Sequence, residues 1–372
     1  MKFAIITHVV HYQEDGKYYA YAPYVNEMNL WGKYVDEVLI VAPKTTKNDA
    51  NINSAYQQKH LQFYTIPTFS FISIYQALKA LAVLPIVFTK ICYVCAKADH
   101  IHIRCPGNTG LLGCLAQMFF PKKTKTVKYA GNWDPNARQP WSYRFQKWLV
   151  KNTFLNRNLK VLVYGNWPTS SPNVKPFFTA TYFDHEKKPL LKRDYSKRLE
   201  FVFVGTLSPG KQPLWCAKFI ELLHQKGLEV ILDLYGKGTE QKILEDYIKK
   251  GKLHEIIRLH GNQPKKLIKE HLQKAHFLLL PSKSEGWPKV IAEAMFWGCI
   301  PIVTPVSCVP WMLGEGKQGI IVSGNPSEEA EKFADLLKEN SLGTWESMSQ
   351  LGAAWSRNYT LDAFELAIKK LI

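Results

Sequence analysis

The chain has 372 residues, of which 46% are hydrophobic, 13% aromatic and 21% charged. That composition excludes a disordered, collagen-like or coiled-coil protein, and the length predicts two domains with a substantial core. The formal charge of +17 is uneven: residues 1–200 hold 27 Lys and Arg against 12 Asp and Glu, and residues 201–372 hold 21 against 19. The basic half suits nucleic acid, anionic lipid or an acidic substrate, whereas the near-neutral half must work through specific contacts.

Residues 2–7 form a short apolar run that turns polar at His8, too early for a signal-peptide core. A tyrosine-rich stretch follows (Tyr12, Tyr18, Tyr19, Tyr21, Tyr24), expected as a loop, then a helix to about Tyr34 and a strand over 37–42. Residues 61–66 read as a third strand and 72–96 as a long amphipathic helix that starts at Ile72. Gln76, Lys79 and Lys90 interrupt that helix, so its longest uncharged run falls short of the ~20 residues a membrane span needs. No transmembrane segment is therefore expected. Strands over 100–104, 126–130 and 161–164 complete the first half. Seven cysteines, an odd number with one C-x-x-C spacing at Cys92 and Cys95, are expected as free thiols, because no second pair of ligands accompanies them.

The stretch 183–198 is polar and reads as a linker. Strands are then expected over 199–204, 229–235, 256–260, 276–280 and 300–304, alternating with helices. Asn325, Pro326 and Glu328 predict a helix start with a capping box, and a last helix covers 361–371. Strands alternating with helices mean parallel sheets with helices on both faces. The expected fold class is α/β with two Rossmann-like domains: residues 1–185, a linker over 186–198, residues 199–352, and a C-terminal helix over 353–372 that returns toward the first domain.

In such sheets ligands bind beyond the carboxyl ends of the strands. In the second half those ends are Gly205 to Lys211, Gly236-Lys237-Gly238, His260-Gly261-Asn262, and Pro281 to Gly286. None carries a P-loop or a full dinucleotide fingerprint, and Gly236-Lys237-Gly238 is also an ordinary turn. The sharpest local feature is Ser284-Glu285-Gly286-Trp287-Pro288-Lys289-Val290-Ile291-Ala292-Glu293. Pro288 suits the first turn of a helix whose free N–H groups, near Lys289 and Val290, make a site for a diphosphate. Glu285 precedes that helix and Glu293 lies just over one turn in; both are equally readable as ordinary helix-end and solvated acids.

Glu285 and Glu293 form E-x7-E, followed by Ala294-Met295-Phe296-Trp297-Gly298-Cys299-Ile300-Pro301. This resembles the signature of glycosyltransferase family four, whose members are retaining, GT-B-fold enzymes that use nucleotide-sugar donors. Val204 to Lys211 is similar to the family's glycine-rich stretch, with Thr206 where arginine is usual. The resemblance covers about 199–325 and implies two domains facing each other across a cleft. It assigns Lys211, Gly286 and the amides of Lys289 and Val290 to the donor diphosphate, Glu285 to the sugar hydroxyls and Glu293 to the ribose. Gly205, Thr206, Gly236 and Trp287 fall within the donor site, and the base falls near Arg258, Gly261 and Asn262. The donor would be UDP- or GDP-linked. Lys289 can substitute for the missing arginine, and is equally readable as a solvated lysine on the first helical turn.

The sequence contains no D-x-D, so a lysine and a helix N-terminus are expected to stabilise the leaving diphosphate without metal or other cofactor. The first half is expected to bind a glycan or lipid-linked acceptor, with Arg104 and Asp134 at strand ends and Asn132 in the place of a catalytic histidine. Basic and aromatic residues mix over 121–160: Lys122, Lys123, Lys125, Lys128, Trp141, Tyr143, Arg144, Phe145, Lys147, Trp148 and Lys151. This segment can lie on the anionic inner face of a membrane, form a solvated face, or grip nucleic acid, which is the least expected partner. The leading reading is a cytoplasmic retaining glycosyltransferase of surface polysaccharide or glycolipid synthesis. The alternatives are a GT-B-fold nucleotide-sugar epimerase or phosphorylase, or a basic nucleic-acid-binding protein.

Overall fold

Short apolar runs build two parallel sheets in the computed structural model, which describes residues 1–46, 53–69, 73–167 and 171–372. The chain divides into two compact units, one comprising residues 1–178 and 364–372, the other residues 179–363.

The first unit contains, in chain order, β1 (Lys2–Ile6), β2 (Tyr12–Glu14), β3 (Lys17–Tyr21), α1 (Ala22–Gly32), β4 (Glu37–Pro43), β5 (Asn53–Ala55), β6 (Leu61–Ile66) and α2 (Ile74–Lys97). It continues with β7 (His100–Cys105), α3 (Asn108–Ala116), β8 (Thr124–Tyr129), α4 (Trp141–Lys151), β9 (Leu159–Tyr164) and β10 (Val174–Phe177). Its main sheet runs β10-β9-β8-β7-β1-β4-β6, with every pair parallel. Alternate residues Ala4 and Ile6, Ile101 and Ile103, and Val161 and Val163 point to one face, where Val87, Ile91 and Val94 of α2 and Leu149 and Val150 of α4 close the core.

Two expectations for this unit are corrected and one stands. The tyrosine-rich stretch is not a loop: β2 and β3 form an antiparallel hairpin that β5 extends, with Asp15 and Gly16 at φ +48° and +73° in the turn. Helix α2 forms as expected, continuous over Ile74–Lys97, with the expected start at Ile72 outside the described residues; by length and composition alone its Leu78–Lys97 stretch could cross a membrane. The basic stretch is not one exposed face. Lys123 donates to the carbonyls of Cys95, Ala96 and Ala98 at the end of α2 (2.8, 2.5 and 2.5 Å). Lys125 is buried, and burial lowers its ammonium pKa to about 8. Lys128, also buried, donates to the Phe178 carbonyl (2.9 Å) and lies over the Phe177 ring (4.5 Å).

Buried imidazoles line the opposite face of this sheet. His100 and His102 both bond the Thr126 hydroxyl (2.9 and 2.8 Å), and His11 bonds the Val9 carbonyl and the Tyr56 hydroxyl (2.8 and 2.9 Å). Burial pushes His11 down to about 4, against a smaller opposing effect of the Val9 carbonyl. A native state that refuses a proton accepted by the unfolded chain loses stability as pH falls below about 6.5 toward 4. Between pH 7.5 and 5 His11 therefore costs the fold about 2 kcal/mol, and urea unfolding of His11→Gln should show that much less pH dependence than wild type.

The second unit opens with the stretch 179–198, which is anchored rather than a free linker. Arg193 is buried and donates to the carbonyls of Ala275, Gln273 and Trp297 (2.7, 2.9 and 2.9 Å). Then follow β11 (Leu199–Val204), α5 (Pro213–Gln225), β12 (Val230–Tyr235), α6 (Gln241–Gly251), β13 (Ile257–Gly261), α7 (Lys265–Lys274), β14 (Phe277–Leu280) and α8 (Lys289–Phe296). The unit ends with β15 (Ile300–Val303), α9 (Val309–Met312), β16 (Ile320–Ile321), α10 (Pro326–Glu339), α11 (Leu342–Ser356) and the first residues of α12 (Leu361–Lys369). The sheet order is β13-β12-β11-β14-β15-β16. The N-cap at α10 forms as expected, Asn325 accepting from the Ser327 and Glu328 amides (3.0 and 3.1 Å), but the capping box does not close: the Glu328 carboxylate accepts from the Asn325 side-chain amide (2.8 Å) and not from its backbone N–H. All seven cysteines are free.

Candidate active site

In the second unit β11 lies at the middle of the sheet, with β12 on one side and β14 on the other. The chain order reverses there, so the loops after β11 and β14 diverge and leave a crevice, the usual ligand position in this architecture. The two loops are stitched by backbone: the Lys283 amide donates to the Gly210 carbonyl (2.8 Å), and the Gln212 side chain donates to the Pro281 carbonyl. Across that seam the Lys211 ammonium donates to Oε1 of Glu285. Two residues 74 positions apart in sequence thus form an ion pair at the switch point, with the Glu285 side chain 9% exposed and Lys211 28%. A charge pair this sheltered holds both groups in place but gains little net stability from being there.

Pro288 caps α8, which begins at Lys289 rather than at Pro288. First-turn N–H groups of an α-helix point out of its N-terminal end and favour an anion there. The Gly286 carbonyl accepts from Ser307 (3.3 Å) and from the Cys308 thiol (3.2 Å), which fixes the loop just before the helix. Trp287 turns inward: it is buried and packs with Trp311, Trp355 and Tyr359. Its side chain therefore anchors the loop, and only its backbone remains at the site. Glu293 accepts from the Thr181 hydroxyl (2.6 Å) and lines a small hollow with Lys289 and Tyr182.

Two glycines of the strand-end loops are required by main-chain packing. Gly236 sits at φ +136°, and a Cβ there would lie 1.9 Å from the Gly205 carbonyl oxygen; one on Gly238 would lie 2.2 Å from that of Leu207. The β11 and β12 loops nest against each other, main chain to main chain, through Gly205 N–H to Tyr235 and Leu207 N–H to Lys237 (3.0 and 3.1 Å). Thr206 is exposed in the same loop.

Next along the sheet, Asp233 receives Arg258 through two 2.7 Å bonds and His260 Nε2 at 2.6 Å, while the His260 ring stacks on Tyr235 at 4.7 Å. Arg258 is thus committed to Asp233, which leaves Gly261 (φ +65°) and the exposed Asn262 at the strand end. A hollow of about 1220 Å³ lies at the amino ends of the strands, between the 191–200 stretch and Lys274 and His276. It is the wrong edge for a ligand of this fold. Among the described residues no cluster of His, Cys, Asp and Glu comes together that could hold a metal ion.

In the first unit the order reverses between β1 and β7. Arg104, one residue before the end of β7, holds its guanidinium 4.9 Å from the Tyr24 ring. His8, just past β1, packs against Gly107, whose added Cβ would meet His8 Nδ1 at 3.1 Å. Burial, and then the Arg104 charge, lower the His8 pKa. Sequence reading passed over His8, although a polar residue directly after the first strand was the available signal. Asn132 and Asp134 belong to a turn: Asn132 Oδ1 accepts the Asp134 amide (2.9 Å) and Asp134 Oδ1 the Asn136 amide (2.8 Å).

Residues 185–355 match the family model of the glycosyl transferases group 1. The chain is similar to an uncharacterized glycosyltransferase of Methanocaldococcus jannaschii, 25% identical over 158 residues, 40% of this chain and 44% of that one. It is also similar to a putative colanic acid biosynthesis glycosyltransferase, WcaL, of Salmonella typhimurium, 30% identical over 38% of this chain and 39% of that one. The chain therefore spans about two fifths of the length of these curated relatives. Over its whole length it has the fold of sucrose-phosphate synthase from Thermosynechococcus elongatus, with TM-score 0.68, 14% identity and 98% of that chain covered. Anabaena HepE, solved in complex with UDP and glucose, gives TM-score 0.67 at 14% identity, with 100% of this chain and 98% of that one covered. The fold is GT-B.

Proposed function

We propose that the protein is a retaining glycosyltransferase that moves a sugar from a nucleotide-diphosphate sugar, UDP- or GDP-linked, to a glycan or lipid-linked acceptor, without a metal ion. The observation that carries this reading is the Lys211–Glu285 pair at the switch point, beside the N-terminal end of α8 and within the segment that matches the family. The bond between the anomeric carbon and the diphosphate breaks, and the departing oxygens gather negative charge. Lys211 and the first turn of α8 meet that charge with fixed positive ends, which lowers the barrier. When the diphosphate takes the ammonium, Glu285 is released to accept hydrogen bonds from the donor sugar.

The similarity to WcaL and to the amylovoran biosynthesis glycosyltransferase AmsK of Erwinia amylovora, 27% identical over 36% of this chain and 37% of that one, supports a polysaccharide as the end product. Glu293 serves the ribose: Thr181 occupies one acceptor position of its carboxylate, and a carboxylate has about four. Titration calorimetry with UDP, GDP and their sugars tests the assignment. Glu293→Ala should weaken the preferred nucleotide by about 1.5–3 kcal/mol, the value of a hydrogen bond to a charged group. Unchanged affinity in a folded variant would remove Glu293 from the site.

A further inference from the structure

Helix α2 is mostly apolar, interrupted by Gln76, Lys79, Lys90 and Lys97, a composition that suits a helix largely enclosed by other elements. Yet only one side of it is covered. Val87, Ile91, Val94 and Cys95 pack into the core beneath the sheet, while Leu78, Leu81 and Ile86 are 64%, 58% and 59% exposed on the outside. The exposed apolar surface does not stop there. Helices α2 and α4 flank α3 on the same face of the sheet. Between them, Phe119 is exposed and meets Phe88 of α2. Beyond, α4 presents Trp141 and a stacked Phe145–Trp148 pair, all exposed. Exposed large apolar side chains gathered on one face of a sheet mark a binding face.

Charge says what covers it. Residues 73–160 hold 14 Lys and Arg against 2 Asp and Glu. Several of the lysines are consumed inside the unit, but Lys79, Lys97, Lys122, Arg144 and Arg157 are exposed. A second copy of the same face would bring like charges together, whereas an anionic surface is complementary.

We propose that the outer faces of α2 and α4 form a docking surface for an anionic lipid bilayer. The helix lies on the membrane and does not span it, because Val87, Ile91, Val94 and Cys95 would have to leave the core for α2 to cross. Apolar side chains enter the acyl boundary, and the exposed basic groups contact the headgroups. This surface belongs to the first unit alone and stands or falls independently of the glycosyl-transfer reading.

The test is flotation of the full chain with phosphatidylglycerol or phosphatidylcholine vesicles, at low salt and at 0.5 M salt, on the order of a 4 Å screening length. Two sets of variants separate the contributions. Leu78→Ser, Leu81→Ser and Ile86→Ser together keep the charge but remove apolar surface; Lys97→Gln, Lys122→Gln and Arg144→Gln together do the reverse. Wild type should float with phosphatidylglycerol and not with phosphatidylcholine, and each triple variant should reduce its partitioning at least tenfold while keeping the wild-type unfolding midpoint. Equal partitioning to both lipids overturns the proposal, as does full binding by the serine variant. A lipid-free dimer that the serine substitutions dissolve would show that a second copy covers the face, and would overturn it too.

Discussion

Replacing Gly236 by alanine should unfold the second unit at a temperature lower by ~10–15 °C. The methyl group would be driven to 1.9 Å from the Gly205 carbonyl oxygen and 2.9 Å from its carbon. Both lie in main chain at the ends of adjacent, hydrogen-bonded strands, so no side chain can rotate away. The φ of +136° adds strain of its own. Backbone strain of about 1–3 kcal/mol and overpacking of about 1–3 kcal/mol combine to about 4 kcal/mol, and a unit of this size loses roughly 2–4 °C per kcal/mol. Gly227→Ala is the matched control. It also has a positive φ, +86°, but meets nothing within 4 Å, so its cost is limited to the dihedral, about 1 kcal/mol. Scanning calorimetry that finds the two variants equally stable would remove the nesting of the β11 and β12 loops as the reason for the glycine.

Lys211→Ala should lower kcat by ~10²–10³-fold, the effect of losing one preorganised charge at a developing anion. That corresponds to about 3–4 kcal/mol of transition-state stabilisation. The same change strips Glu285 of the ammonium that neutralises it in a site where its side chain is 9% exposed. Donor binding in the ground state should therefore weaken as well. Lys211→Arg keeps the charge but moves its centre, and should recover part of the rate. Because lysine and the helix N-terminus carry the charge, the wild-type rate should be the same in EDTA as without it. A Lys211→Ala enzyme within threefold of wild type would sink the assigned role, and a rate abolished by EDTA and restored by Mg²⁺ would sink the metal-free reading.

What could be read from the sequence depended on how local its cause was. Asn325, Pro326 and Glu328 act on one another within four residues, and the helix starts with the N-cap as read. The parallel sheets were legible because buried strands are short apolar runs that end at loops rich in glycine and proline. The hairpin at Asp15 and Gly16 was legible in principle, since Asp-Gly between strand formers is a turn signal; the density of tyrosines hid it. Lys123, Lys125 and Lys128 look like a surface patch because charge is a local property. Their partners, at Cys95 to Ala98, Gln117 and Phe178, become neighbours only when the sheet is built.

The site divides in the same way. The spacing of Glu285 and Glu293 could be read along one loop and the helix after it, but the partner of each could not. Lys211 reaches Glu285 only because β11 and β14 are neighbours in the sheet, and Thr181 reaches Glu293 from 112 residues away. Trp287 illustrates the limit. Its position in the motif suggested contact with the donor, yet Trp311, Trp355 and Tyr359 hold its ring in a separate aromatic cluster.

The last nine residues have a practical consequence. Phe364 packs on Phe177 and Phe178 (5.4 and 5.8 Å), and Glu365 binds Lys33 and Tyr34, so the C-terminus completes the first unit after the chain has built the second. A single cut at 178 does not release either unit intact: the amino-terminal fragment lacks its closing helical segment, and the carboxyl-terminal fragment carries a stray strip of someone else's core. Isolating the first unit as a folded polypeptide calls for a rewired chain in which residues 364–372 are rejoined to residues 1–178 by a linker. A tag fused after Ile372 hangs from the first unit, although the sequence order suggests the second.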